Sequence, residues 1–102
     1  MLRINKNENR FWFNKKNEFH RIGGPAIEYK SGTKCWCING KRHREDGPAV
    51  EYSTGTKAWW IYGKLHRENG PAIEDVDGTK CWYLNGKRYT EEEYKEKVGG
   101  IC

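Results

Sequence analysis

The chain has 102 residues, with 19 Lys and Arg against 14 Asp and Glu for a formal charge of +5, and only 35% of it is hydrophobic. That length suits one domain, and no apolar run approaches the ~18–20 residues of a membrane span, which sets aside an integral membrane protein, collagen and a coiled coil. Five Trp, six Tyr and three Phe argue against disorder, because disordered segments are poor in aromatics.

Residues 1–10 (MLRINKNENR) lack the apolar stretch of a signal peptide and are expected to form an N-terminal cap or edge segment. From there a period of 23 runs through residues 11–89. His20, His43 and His66 keep that interval with Tyr89 in the fourth slot, as do Pro25, Pro48 and Pro71, and Gly32, Gly55 and Gly78. Trp36, Trp59 and Trp82 keep it too, and Phe13 is expected to fill the first slot. A fixed period of this length is the mark of a repeat architecture.

Each unit carries two hairpin signals. Asn39-Gly40, Tyr62-Gly63 and Asn85-Gly86 suit two-residue type I′ turns, with Lys16-Asn17 as a weaker first member. Gly32, Gly55 and Gly78, each followed by Thr-Lys, suit three-residue loops with Gly in the left-handed position of a bulge. Asp46-Gly47-Pro48 and Asn69-Gly70-Pro71 break the chain between hairpins, since Pro cannot donate to a ladder. The expected fold is all-β: a single-layer twisted antiparallel meander of about four hairpin repeats.

Residues 90–98 follow as a short C-terminal capping helix. Thr90 and Glu93 have capping-box spacing, acids fill the first turn, and Gly99 stands at the end. Residues 99–102 are read as a tail.

The unit W-x-x-N-G-K-x-H-R-x-D-G-P-A, clearest in residues 32–51, resembles a variant of the MORN repeat family, of the kind met in phages, large viruses and bacteria. The resemblance covers roughly residues 11–90. It departs from the ordinary family pattern where His-Arg is followed by Gly-Pro-Ala. It implies an elongated single-layer sheet that acts as a scaffold or binding surface and not as a catalyst.

Alternation along the strands places Ala49, Glu51, Lys57, Trp59, Ile61, Lys64 and His66 on one face, which is nearly the same in every unit. This face is expected to be a structural ladder, with His stacked on its cross-strand Trp, Glu paired to Lys, and the His-Arg arginine outward. The opposite face varies. Arg42, Arg44, Tyr52, Trp60, Tyr62, Leu65, Arg67, Tyr83 and Arg88 are its candidate partner-binding residues, of the types enriched in interface hot spots. The bland alternative has these aromatics packed under the helix or a second protomer.

No catalytic set is visible, and no cofactor or metal is expected. Ladder histidines two strands apart are ~9–10 Å from one another, too far to share a zinc. The cysteines Cys35, Cys37, Cys81 and Cys102 read as reduced thiols. The expected function is a non-enzymatic protein-binding module in the bacterial or host cytoplasm, a phage- or mobile-element-encoded inhibitor or adaptor that occludes a host defence protein. A nucleic-acid or nucleotide binder using the basic and aromatic face is the alternative, followed by a self-associating structural array, with a homodimer allowed.

Overall fold

In the computed structural model, which describes residues 1–99, the chain is mostly short antiparallel strands followed by one short helix. The reduced thiol expected at Cys102 and the last three residues of the tail lie outside the described residues. The strands are β1 (Leu2–Ile4), β2 (Arg10–Trp12), β3 (Ile27–Glu28), β4 (Lys34–Cys35), β5 (Cys37–Ile38), β6 (Lys41–Arg42) and β7 (Val50–Glu51). They continue as β8 (Lys57–Ala58), β9 (Trp60–Ile61), β10 (Lys64–Leu65), β11 (Ile73–Glu74), β12 (Lys80–Leu84) and β13 (Lys87–Tyr89), and the helix α1 is Glu91–Gly99. One sheet runs β1-β2-β3-β4-β7-β8-β11-β12-β13, while β5–β6 and β9–β10 form two-stranded sheets beside it.

Turn chemistry sets the register. Asn39, Tyr62 and Asn85 have φ of 49°, 45° and 52°, and the glycine after each is also positive, as a type I′ turn requires. Gly32, Gly55 and Gly78 have φ between 93° and 108° and close three-residue loops. These turns oppose Glu28 to Lys34, Glu51 to Lys57 and Glu74 to Lys80.

The first unit departs from the expected spacing. Phe13 pairs with Phe19, and Asn14 N–H donates to Glu18 O, closing a three-residue loop with Asn17 at φ 61°. This loop replaces the two-residue turn expected at Lys16-Asn17. The extra residue shifts everything before it by one, so Trp12, and not Phe13, holds the tryptophan slot: His20 N–H donates to Trp12 O as His43 N–H donates to Trp36 O. Residues 5–9 then form the same kind of bulged loop, with Glu8 at φ 65° in the glycine position.

A bend recurs at Trp36 and Trp59. Trp36 N–H donates to Ala49 O on one side, and Trp36 O accepts from His43 N–H on the other; Trp59 does the same with Ala72 and His66. A strand that changes partner in mid-course passes from one sheet to the next and makes a corner. This is why the ladder divides between Cys35 and Cys37, and between Ala58 and Trp60. The outer hairpins are bonded to one another, Arg44 N–H to Trp60 O and Gly63 N–H to Arg42 O.

The apolar core lies on the varying face. Ala26, Ile27, Cys35, Cys37, Val50 and Ala58 are buried together, with Phe11, Phe19, Trp60, Leu65 and Ile73 packed against them. The side read from sequence as open for recognition is therefore largely interior. Bending at the tryptophans gives the sheet an inside, and side chains there vary because they must fill one another's gaps. Burial of a side chain such as Val50 stabilises by roughly 1.5–3 kcal/mol.

Helix α1 closes the C-terminal end. Glu93 N–H donates to Thr90 Oγ1 and Thr90 N–H donates to Glu93 Oε1, a complete capping box. These bonds hold the Glu93 carboxyl below its usual range, the Thr90 backbone amide contributing most. Tyr94 is buried, its hydroxyl donating to Arg67 O and accepting from Gly70 N–H.

Candidate interaction surface

The outer face carries one network at successive 23-residue steps, shifted by one in the first unit. Arg21, Arg44 and Arg67 lie 3.9, 3.9 and 3.7 Å over the rings of Trp12, Trp36 and Trp59. Each arginine donates to the carbonyl of the following proline, at Pro25, Pro48 and Pro71, and meets Glu28, Glu51 or Glu74 at 3.5, 3.0 or 3.2 Å. This corrects two expectations from sequence. Arginine, not histidine, stacks on the tryptophan, because a planar guanidinium satisfies a ring face and several acceptors together. The glutamates go to these arginines, although lysine is directly opposite them in the ladder.

The glycine of each Gly-Pro step follows from the same contact. A Cβ at Gly47 would fall 3.0 Å from Arg44 Cζ, and one at Gly70 would fall 2.9 Å from Arg67 Cζ. Close approach of the guanidinium, with no unusual φ, favours glycine there, since a Cβ would press the arginine away from its ring and carbonyl.

The histidines serve as links between units. Asn39, Tyr62 and Asn85 N–H donate to Nδ1 of His20, His43 and His66 at 3.0, 2.9 and 2.9 Å. An accepting Nδ1 carries no proton, so the ring hydrogen is on Nε2. In His43 and His66 that atom lies 3.5 and 3.4 Å from Glu45 and Glu68. Each histidine thus ties one hairpin to the next.

The nine candidate residues do not form one patch. Arg44 and Arg67 are half-buried in the outer-face network just described. Trp60, Leu65 and Tyr83 are half-buried, the first two against the core. Trp60 Nε1 is buried with no hydrogen-bond partner among the described residues. Arg42 is exposed with its guanidinium 5.1 Å from the Trp60 ring, and Arg88 is exposed beside Cys81 Sγ at 3.8 Å. Tyr52 lies on the opposite, bulged-loop side, and Tyr62 is at a type I′ turn with its ring 4.0 Å from that of His43.

Shallow grooves lie between successive bends of the outer face. The first, of about 550 Å³, is lined by Trp36, Ile38, His43, Ile22, Tyr62 and neighbouring bend residues. Its counterpart one unit on is lined by Trp59, Ile61, His66, Glu45 and Glu68 among others. Ile22 is a functional candidate that reading the varying strands missed, because it lies in a bend; its departure from the glutamates at the same repeat position was the available signal.

Cys35, Cys37 and Cys81 are free thiols. Burial pushes Cys37 up to about 11, with Cys35 adding to the rise and Arg42 opposing it. Cys35 is raised, again first by burial and against Arg42. Compared with models of protein families, with curated proteins and with solved structures, the chain matches none. No helix among the described residues is long and apolar enough to cross a membrane.

Proposed function

We propose that the chain is a non-enzymatic protein-binding module, a MORN-like variant array of about four 23-residue hairpin units in a single bent meander. The observation that supports it most is the division of labour among the surface side chains. The recurring Arg, His and Glu side chains have partners within the molecule, whereas Arg42, Tyr52, Tyr62 and Arg88 are exposed at positions whose residue type varies from unit to unit. Tyr and Arg of this kind supply contact energy when a partner covers them. That the partner is a host defence protein, and the chain a phage- or mobile-element-encoded cytoplasmic inhibitor, rests on the family resemblance alone.

Immobilised chain should retain a partner protein that single variants Tyr62→Ala or Arg42→Ala release, with unfolding midpoints near that of the parent. Retention unchanged across substitutions at all four exposed positions would remove the reading.

One observation favours a second reading. The outer hairpins, residues 13–20, 37–43, 60–66 and 83–89, hold seven Lys and Arg and a single acid, Glu18. The whole positive excess of the chain therefore lies along that side. Arg21, Arg44 and Arg67 are already neutralised, so Lys41, Lys64 and Lys87 would meet a nucleic-acid backbone. Titration with oligo-dT at two salt concentrations tests this, since phosphate contacts impose a steep salt slope.

A further inference from the structure

Two departures from the repeat meet in one groove. Ile22 stands where the later units carry Glu45, Glu68 and Glu91, and Tyr62 stands where others carry Asn39 and Asn85. Far apart in sequence, both line the depression around Trp36 and His43.

The fold buries neither side chain. Ile22 is 83% exposed and Tyr62 is 60% exposed. At φ 45° Tyr62 sits in the left-handed region, which tolerates Asn and strains a bulky side chain. The backbone task of its slot, donation to a histidine Nδ1, is done equally well by Asn39 and Asn85. What tyrosine adds is an exposed ring beside His43. Strain held at an exposed aromatic points to contact, not to packing. One unit along, Glu45 takes the place of Ile22 in the equivalent groove.

The charge around the groove is also particular. Glu45 and Asp46 stand on its rim with side chains 79% and 88% exposed. Arg21 and Arg44 line it too, but Glu28 holds Arg21, and Glu51 and Asp46 hold Arg44, which leaves Glu45 as the rim carboxylate not paired to an arginine. An acidic rim beside an aliphatic and aromatic mouth repels phosphate and suits a cation next to an apolar group.

We infer that this groove receives a segment of a partner protein that inserts an apolar side chain between Ile22 and Tyr62 and sets a Lys or Arg against Glu45. The inference rests on the binding-module reading and narrows it to one surface and one partner chemistry.

Short linear peptides selected from a random library against the full chain provide the probe. Their affinity is then measured for the parent, Ile22→Glu and Tyr62→Asn, together with amide chemical shifts. Each substitution installs a residue type the chain already carries at an equivalent position, so folding is preserved. Selected peptides should pair an apolar residue with an adjacent Lys or Arg and shift Ile22, Trp36 and Tyr62. Each variant should weaken binding by roughly tenfold. Failure to select any peptide, selection of acidic peptides, or binding by both variants as tight as by the parent overturns the inference. Peptides whose shifts centre on Arg42 or Tyr52 instead overturn the groove while leaving the binding-module reading in place.

Discussion

Tyr62 shows how one residue can work against the fold that holds it. The left-handed conformation costs an L-residue of this size about 1 kcal/mol more than Asn, so Tyr62→Asn should raise the urea midpoint by a corresponding amount. A drop would mean that the ring contact with His43 outweighs the strain. Cys37 gives a pH-dependent counterpart. Its folded value is raised from the ordinary 9.0 to about 11, so the folded state keeps its proton after the unfolded chain has lost one. The contribution is complete below pH 9.0 and is lost as pH rises toward about 11, so chemical-denaturation midpoints should fall across that window. A Cys37→Ala variant should show a shallower fall.

The corner at Trp36 and again at Trp59 is the element that organises the molecule, and its arginine is the central part. Arg44→Ala removes a ring contact, a carbonyl bond and the ion pairs to Asp46 and Glu51, and should cost about 2–3 kcal/mol in thermal or urea unfolding. Arg42→Ala, two residues away on an exposed strand, should stay within about 0.5 kcal/mol. Both arginines were expected on one recognition face, and the corner separates them. At the C-terminal element, Tyr94→Phe removes the hydroxyl shared by Arg67 O and Gly70 N–H. A loss of about 1 kcal/mol is expected, because the buried carbonyl and amide lose a partner. An unchanged midpoint would show that the helix caps by its ring alone.

At the scale of the whole molecule, contacts run between neighbours along an elongated body of 47 × 30 × 18 Å. The histidine links span 19 residues and reach only the next hairpin. Deleting residues 45–67 joins Arg44 to Glu68 in register and should leave a folded, β-rich but less stable chain, as nearest-neighbour arrays behave. Loss of cooperative folding in that deletion, read by circular dichroism, would contradict the neighbour-only description.

Much of this was written locally. The Asn-Gly and Gly-Thr signals specify backbone conformations that few other residues adopt, so strand registers and the helix cap were legible in the order of residues alone. The extra residue in the first loop was hidden because a period count cannot distinguish Phe13 from Trp12 when both are aromatic. Alternation along a strand correctly separated two faces, but not which of them would be inside. That depended on the bends at Trp36 and Trp59, where two sets of backbone bonds from distant strands meet. The partners of the arginines and the meeting of Ile22 with Tyr62 arose the same way. They join residues through space across hairpins, and a one-dimensional spacing carries no record of such distances.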